Sequence, residues 1–272
     1  KKQMRHIGQV HLSHSGKPKI GEKMVRKRKM SEAGFYHVMA RGTGRQIIFE
    51  CDGDRRVFLH LLQKTVDLSE VRLHAYCLMD NHFHLLVHAD LQKLAECMQK
   101  LSGGYARWFN AKAGRVGHLF QERFKSEAID DEAYLLTVVR YIHENPKKGG
   151  LCETNDYPWS SYGEYVGNSV ICDTRLVLEL CGGIDAFKRF HVQNHDQTCC
   201  LDNEARYGKY TKDEAVLFKK AEDILGDVPT TDVKTFSKPR RDALLKLMKT
   251  NGLSIRQIER LTGIGRNTIA RA

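Results

Sequence analysis

The stretch from Leu78 to Val87 constrains the fold of this chain more than any other. Its side chains alternate between two sides, as those of a half-buried strand do. One side carries Phe83, Leu85 and Val87, and the other carries His82, His84 and Leu86. Residues two apart on a strand lie about 6.5–7 Å apart at Cα, so both imidazoles can reach one divalent ion. Two histidines in ordinary hydrogen bonds would show the same spacing, so a metal site needs further ligands from elsewhere in the chain.

The formal charge of +11 is concentrated at the two ends of the sequence. Residues 1–30 carry ten Lys and Arg against one Glu, and residues 234–272 carry ten against two acidic residues, which leaves the middle at −6. Lys and Arg at this density displace the counterions condensed on nucleic acid. We therefore expect a nucleic-acid partner, although solvated charged ends would give the same pattern.

Cysteine usage and hydropathy indicate a cytoplasmic protein. Eight cysteines are scattered through the 272 residues without a Cys-x-x-Cys pair, which argues against a zinc ribbon or a secreted disulfide framework. No apolar run approaches the roughly 20 residues that a membrane span needs, and the N-terminus lacks the apolar core of a signal peptide. We expect one catalytic-sized domain with attachments and no membrane partner.

Hydrophobic periodicity predicts an α+β domain over residues 34–167. Asp52 or Asp54 is expected to cap its first helix, and Asp80-Asn81 to form the turn of a hairpin. Tyr105 falls on the apolar stripe of the second helix and is predicted to be a core residue. The predicted elements are, in order, a strand over 35–40, a helix ending at about residue 68, strands over 71–78 and from residue 82, a helix over 91–109 and a strand ending near residue 129.

Two basic segments of this domain are candidates for nucleic-acid contact. In the polar loop after the first strand, glycines lie beside Arg41 and Arg45, so main-chain N–H groups and guanidinium groups could contact a phosphate. A plain turn fits that loop as well. Arg107 lies beside Trp108 on the long helix, a mixture of charge and stacking surface suited to single-stranded bases. Core packing of the tryptophan would explain this pair equally.

A helix over residues 132–144 carries the most chemically informative pair. Asp130-Asp131 is expected to cap it, and the helix is expected to end before Asn145 and Pro146. Tyr141 and Asn145 fall on one face, one turn apart. They offer a phenol oxygen for nucleophilic attack and an amide oxygen for a metal ion. A tyrosine packed on the sheet and an asparagine at a helix end would explain the same residues.

Three further regions flank this domain. Residues 1–33 are expected to form a basic arm, and residues 168–238 a helical connector that ends in a linker. Residues 239–272 have the layout of a helix-turn-helix, in which Ser254 caps a helix and a glycine-containing turn leads into the last one. A three-helix bundle for protein contacts fits the same pattern, but the basic charge favours DNA. The residues expected to contact it are Arg266, Asn267 and Arg271.

Together these motifs resemble the single-tyrosine HUH transposases, and especially their REP-associated tyrosine transposase branch. The resemblance covers about residues 34–167 in family order. The His-x-His pair combined with Tyr-x-x-x-Asn is far more specific than either motif alone. The segments that carry the resemblance are Met39–Gly42 with Ile48-Phe49, His74–Leu86, Tyr105 with Phe109-Asn110, Gly117–Ser126, Tyr141–Pro146 and Trp159–Tyr162.

The resemblance implies a ferredoxin-like α+β domain, in which an antiparallel sheet carries the histidines and a flanking helix presents the tyrosine. It implies that His82 and His84 are metal ligands, that Asn145 is the third, and that Tyr141 is the nucleophile. Many mobile-element relatives have Gln at the position of Asn145, and the REP-associated branch resembles this chain in having Asn. The basic arm and the helix-turn-helix lie outside the minimal family domain, so transposition and a domesticated role are both left open.

The activity implied is nicking and strand transfer of single-stranded DNA beside a hairpin, through a 5′-phosphotyrosine, with Mg²⁺ or Mn²⁺ as cofactor. We expect a monomer or homodimer associated with the bacterial nucleoid, and duplex contacts from the C-terminal region. An alternative is a non-catalytic DNA-binding regulator that uses the helix-turn-helix. A third hypothesis, less supported by these residues, is an RNA-binding or RNA-cleaving protein. The residues expected to contact single-stranded DNA are Arg41, Arg45, Arg107, Arg123 and Lys125.

Overall fold

The computed structural model describes residues 28–193 and 211–272. Residues 1–27 of the predicted basic arm and residues 194–210 of the predicted connector therefore lie outside the described residues. Short 3-10 helices lie at Thr43–Arg45, Thr154–Asp156 and Thr230–Thr235. The strands and α-helices are β1 (Phe35–Arg41), α1 (Asp52–Asp67), β2 (Arg72–Met79), β3 (His82–His88), α2 (Leu91–Lys112), β4 (Lys125–Ile129), α3 (Glu132–Lys148), α4 (Tyr162–Val166), α5 (Arg175–Cys181), α6 (Ile184–Val192), α7 (Thr211–Leu225), α8 (Lys238–Thr250), α9 (Ile255–Thr262) and α10 (Arg266–Arg271).

The four strands form one antiparallel sheet in the order β2–β3–β1–β4. β2 and β3 form the predicted hairpin around Asp80 and Asn81. β1 lies between β3 and β4, although it precedes both in the sequence. A βαββαβ succession with this strand order is a ferredoxin-like α+β fold, so the predicted fold class is confirmed.

One face of the sheet packs against α1 and α2. Phe83, Leu85 and Val87 of β3 contribute to this core, on the side that their alternation predicts. Tyr105 of α2 is fully buried there and donates its hydroxyl hydrogen to the carbonyl of Ile48 at 2.5 Å. The prediction that Tyr105 is a core residue is therefore confirmed.

The opposite face of the sheet packs against α3, with α4 to α6 beside it. Cys77 and Leu86 from the sheet meet Val138 and Ile142 of α3 in a second core. Because Leu86 points to this face, His82 and His84, four and two positions earlier on β3, point to it as well. The histidines and the helix with the candidate nucleophile therefore share one side of the sheet.

The start of α1 differs from the prediction. The N-cap residue is Cys51, and neither Asp52 nor Asp54 occupies that position. Asp54 instead lies in the first turn, where its carboxylate accepts a hydrogen bond from the main-chain N–H of Glu50 at 2.8 Å. A carboxylate in the first turn also interacts favourably with the positive end of the helix dipole.

The end of α3 also differs from the prediction. Asp131 caps its start as expected, by accepting the N–H of Tyr134 at 2.8 Å. The helix, however, continues through Asn145 and Pro146 to Lys148. The proline removes one main-chain donor, but the carbonyl of Asn145 still accepts a hydrogen bond from the residue after the helix at 2.8 Å. Asn145 is therefore a helical residue and not a cap.

The C-terminal region has a hydrophobic core of its own. Residues of α7 and Val233 pack there with α8, α9 and α10. Ser254 forms a capping box with Gln257 at the start of α9, and Gly263, with φ of 68°, makes the turn towards α10. The predicted connector is thus not one unit, because α5 and α6 pack against α3 whereas α7 belongs to the C-terminal core.

The C-terminal core lies against the loop that follows β1. Lys234 forms an ion pair with Glu50, and its Nζ lies 5.9 Å from the centre of the Phe109 ring. A Cβ atom added to Gly44 would lie 3.9 Å from Nη2 of Arg266. The first residue of α10 therefore faces the arginine-containing loop that follows β1, and the two basic regions are neighbours.

Within the described residues, no helix combines the length and the apolar character that crossing a membrane requires. The described cysteines are all free thiols, as the absence of a Cys-x-x-Cys pair suggests. They are Cys51, Cys77, Cys97, Cys152, Cys172 and Cys181.

Candidate active site

His82 is oriented by the residue that precedes it. Its Nδ1 lies 2.6 Å from the amide oxygen of Asn81. An amide oxygen only accepts hydrogen bonds, so Nδ1 of His82 carries a proton, and in the neutral form of the ring Nε2 carries the lone pair. The ring of His84 lies at 85° to that of His82, with the ring centres 5.0 Å apart. The two imidazoles are therefore close enough to bind the same ion.

His84 is fully buried and neutral. Its Nδ1 lies 2.9 Å from Nε2 of His37 on β1. Burial, followed by the nearby charges of His82, His37 and Arg41, lowers the pKa of His84 well below its usual value of 6.5. A neutral imidazole has the lone pair that a metal ligand must provide.

The ring of Tyr141 on α3 contacts two buried histidines, His84 and His37. Its ring is edge-on to both, with ring centres 5.6 Å from His84 and 5.8 Å from His37. The ammonium group of Lys148 lies 4.6 Å from the centre of the Tyr141 ring. One turn along the helix, Asn145 donates its amide N–H to the carbonyl of Tyr141 at 2.8 Å, which leaves the amide oxygen as the atom able to bind a cation.

This set of donor atoms fits Mg²⁺ or Mn²⁺. In the described ranges 28–193 and 211–272, no group of three or more His, Cys, Asp or Glu residues could hold a metal ion. A site at His82 and His84 would therefore need a ligand of another type, and the amide oxygen of Asn145 is a hard donor of the kind that these ions prefer.

Four of the cationic residues predicted to contact DNA line a single pocket of about 130 Å³. Arg41, on its edge, is the β1 partner of His82. One lining residue of the pocket is therefore a neighbour of His82 on the sheet, and the positive charge of the pocket favours a phosphate there. Its lining residues include Met39, Arg41, Arg45, Gln121, Glu122, Arg123 and Lys125.

The loop that presents Arg45 is tightly wound. Arg45 has a φ of 63°, and it is the only non-glycine residue with a positive φ in the part of the chain that the structure describes. A Cβ atom at Gly42 would lie 2.3 Å from the carbonyl oxygen of Gln46, so this position requires glycine. The N–H of Gly42 donates to the carbonyl of Asn81 at 2.8 Å, which joins the loop to the residue that orients His82.

The other predicted DNA contacts lie away from this pocket. Arg107 is exposed on α2, which packs on the opposite face of the sheet. Arg266, Asn267 and Arg271 are exposed on α10, and Arg266 also donates to Glu259 at 2.5 Å. The structure therefore brings together Arg41, Arg45, Arg123 and Lys125, but it does not bring Arg107 to the histidines.

The residues that orient the histidines were not apparent from sequence patterns. Asn81 contacts His82, and His37 contacts His84, while Glu127 on β4 lies on the other side of His37. Alternation along β1 could have placed His37 on the same face as Arg41. The pairing of β1 with β3, which brings His37 to His84, is a long-range contact that no local pattern reveals.

A comparison with protein families identifies the domain that carries these residues. Residues 31–145 match the family model described as "Transposase IS200 like". This part of the chain is similar to the IS200-like transposases. The matched part of the IS200-like domain begins just before β1 and ends at Asn145, so it includes the histidine pair and Tyr141.

Two solved structures are similar to the chain that contains the IS200-like domain. One is a REP-associated tyrosine transposase bound to a REP hairpin, with 18% sequence identity and a TM-score of 0.45 over 53% of this chain and 85% of that chain. The other, a protein from Deinococcus radiodurans assigned as a transposase, has 19% identity and a TM-score of 0.32 over 44% of this chain and 97% of that chain. No curated protein sequence matches the chain significantly.

Proposed function

We propose that this IS200-like domain is a metal-dependent enzyme that nicks single-stranded DNA and transfers the strand through a 5′-phosphotyrosine. The observation that carries the proposal is the contact of the Tyr141 ring with His84, beside His82, where α3 crosses the sheet. A phenol beside two imidazoles, with an amide one helical turn away on α3, provides the groups that this reaction needs. A buried structural role for Tyr141 would not require a cation-binding pair beside it.

His82, His84 and Asn145 would hold a Mg²⁺ or Mn²⁺ ion against the scissile phosphate. When bound, the ion supplies Lewis-acid chemistry, withdrawing charge from the phosphate oxygens and stabilising the leaving oxygen. The histidines supply nitrogen lone pairs whose directions are fixed by Asn81 and His37.

Tyr141 would act as the nucleophile. Its phenol oxygen forms a bond to phosphorus while the bond from phosphorus to the 3′ oxygen breaks, and the 3′ oxygen leaves as a hydroxyl. A free phenol titrates near pH 10, so the proton must leave during the attack. Lys148, 4.6 Å from the ring centre, favours the negative charge that develops on the phenol oxygen. A 3′-OH can reverse the step and join strands.

DNA would lie across the pocket and towards the C-terminal region. Arg41, Arg45, Arg123 and Lys125 would contact phosphates of the single strand. α10 would contact duplex DNA, and its proximity to the loop of Arg45 suits a hairpin substrate in which single and double strands meet. A transposase and a domesticated relative would use the same chemistry.

A covalent-adduct assay tests the proposal. Labelled single-stranded hairpin DNA is incubated with Mn²⁺ and the protein, and the products are separated on a denaturing gel. The wild-type protein and the matched control Tyr162→Phe, altered at another tyrosine of the same core, should form a protein-linked product. Tyr141→Phe should form none while it binds DNA nearly as tightly as wild type.

The same gel distinguishes the proposed enzyme from a non-catalytic DNA-binding regulator. A non-catalytic regulator would bind duplex DNA without forming an adduct with any metal. His82→Ala should bind DNA and lose cleavage, with no rescue by higher metal concentrations. An adduct that persists in Tyr141→Phe would refute the assignment of the nucleophile.

A further inference from the structure

A chain of polar groups, half-buried at its outer end and buried at its inner end, leads from the edge of the sheet to His84. Tyr134 of α3 donates its hydroxyl hydrogen to Oε1 of Glu127 at 2.8 Å. Oε2 of Glu127 lies 3.7 Å from Nδ1 of His37, and Nε2 of His37 lies 2.9 Å from Nδ1 of His84. His37 and His84 are both fully buried.

The sheet register creates this chain. His37 of β1 lies directly opposite Glu127 of β4. On the other side, His84 of β3 lies opposite Met39, two residues from His37 on the same face. His37 and His84 are thus diagonal neighbours on two strands, a separation that long side chains bridge. The three side chains come from three strands of one sheet and point to its α3 side.

The carboxylate gives the chain a direction. Nδ1 of His37 lies 3.7 Å from Oε2 of Glu127, too far for a hydrogen bond. The negative charge of the carboxylate nevertheless favours the proton on this nitrogen over the proton on Nε2. Nε2 of His37 then carries a lone pair and accepts the hydrogen from Nδ1 of His84. The second nitrogen of His84, Nε2, is left with the lone pair. This is the nitrogen that a metal ion would need.

The ring geometry agrees with a hydrogen bond between the two histidines. Their planes lie at 27° and their centres are 5.1 Å apart. Since two ring nitrogens approach to 2.9 Å, the rings meet through their edges, where the N–H and the lone pair point. Two rings stacked face to face would not direct a proton from one nitrogen to the other.

We infer that His37 is a positioning residue for His84, and that Glu127 and Tyr134 in turn position His37. The inference rests on the proposed function, because it gives His84 the role of metal ligand. Partners of this kind fix the tautomer and direction of a ligand histidine, and their loss lowers metal affinity by about 10- to 100-fold. The partner of a ligand histidine is more often a carboxylate than a neutral histidine. Here His37 is the direct partner of His84, and the carboxylate of Glu127 lies beyond His37.

Metal binding by the full chain without DNA tests the inference. Mn²⁺ affinity is measured by titration calorimetry for wild type, His37→Phe and His37→Gln, with His84→Ala as the reference for a lost ligand. His37→Phe keeps a flat ring but offers no acceptor, so its affinity should fall by about 10- to 100-fold. In His37→Gln the amide oxygen can accept from His84 at the former Nε2 position, so most of the affinity should return.

Two further variants keep the test decisive if His37→Phe does not fold. Glu127→Gln and Tyr134→Phe leave His37 and His84 in place and should each weaken Mn²⁺ binding, with the larger loss for Glu127→Gln. Thermal unfolding in EDTA, where no metal contributes, checks that each variant is folded. Unchanged Mn²⁺ affinity in His37→Phe, or in both Glu127→Gln and Tyr134→Phe, overturns the inference. An equal loss of Mn²⁺ affinity in His37→Phe and His37→Gln also overturns it.

The same titration separates this inference from the proposed function. If wild type and His84→Ala bind Mn²⁺ equally, the metal site itself is wrong, and the inference about His37 falls with it. If His84→Ala loses binding but His37→Phe does not, the metal site stands and only the role of His37 is overturned.

Discussion

His143, which is buried, and His191, which is half-buried, join α3 to α6. Their contacts predict that the domain loses stability in mild acid. Nδ1 of His191 faces the carbonyl oxygen of Phe187 at 3.0 Å, so it carries the proton. Nε2 of His191 then accepts from Nδ1 of His143 at 3.1 Å, and Nε2 of His143 accepts from the hydroxyl of Ser161 at 2.8 Å. This arrangement requires both imidazoles to be neutral.

The direction and size of the pH effect follow from the pKa values. Burial lowers the pKa of His191 from 6.5 to about 4, and burial together with His191 lowers the pKa of His143 well below 6.5. The unfolded chain therefore takes up protons before the folded one does. The contribution of the two neutral histidines to the free energy of unfolding is complete above about pH 6.5 and is lost as the pH falls towards 4. At about 1.4 kcal/mol per pKa unit, His191 alone accounts for about 3 kcal/mol.

Denaturant unfolding of wild type and His191→Gln between pH 8 and pH 4 measures the effect. The glutamine can accept the hydrogen bond from His143 but does not titrate. It also loses the contact with the Phe187 ring, whose centre is 4.2 Å from that of His191, so the variant should be less stable at pH 8. The difference in the free energy of unfolding between wild type and His191→Gln should shrink by about 3 kcal/mol as the pH falls from 8 to 4. Parallel curves across this range would refute the reasoning.

Three further predictions concern the basic pocket, its loop and the C-terminal core. Replacing Arg123 and Lys125 together by Gln should reduce the slope of log affinity for single-stranded DNA against log salt by about 1.4, at about 0.7 per phosphate contact; fluorescence anisotropy at several salt concentrations measures it, and an unchanged slope would exclude both contacts. Arg45→Gly should raise the free energy of unfolding by about 1 kcal/mol, because glycine adopts the φ of 63° without strain, and it should lower DNA affinity. A lower free energy of unfolding in this variant would show that Arg45 is not strained. Ser254→Ala should lower the free energy of unfolding by about 1 kcal/mol through loss of the capping box, and equal denaturation midpoints would show that the cap contributes nothing.

The parts of the fold that the sequence predicts well are those with a local pattern. The alternation along β3 assigns each side chain of Phe83, His84 and Leu85 to its correct face. Tyr105 on the apolar stripe of α2 is buried as predicted. Asp131 and Ser254 cap the helices that follow them. Each of these features depends on contacts within a few residues along the chain.

The features that the sequence did not reveal depend on neighbours that are distant along the chain. Pro146 favoured an end to α3, but packing of Val138 and Ile142 on the sheet outweighs one lost donor. α7 joins the C-terminal core only because Leu217 and Leu225 meet the helices of that core. His37 reaches His84 through the register of strands that lie far apart in the sequence.

The roles of Tyr141, Asn145 and the two histidines of β3 stay predictions until the reaction is observed. What the structure adds is the position of the Tyr141 ring against His84 and of the arginine pocket next to His82. The sequence could suggest that these residues act together only through spacing and family resemblance.

Mapping the amino acid that becomes linked to DNA tests the central claim most directly. After incubation with single-stranded hairpin DNA and Mn²⁺, the protein is digested with nuclease and trypsin, and the peptides are analysed by mass spectrometry. Cleavage after Arg140 and Lys147 releases a peptide in which Tyr141 is the only tyrosine. We predict that this peptide carries the added nucleotide mass through Tyr141. A nucleotide on any other peptide, or no linked peptide under conditions in which the DNA is cut, would contradict the account.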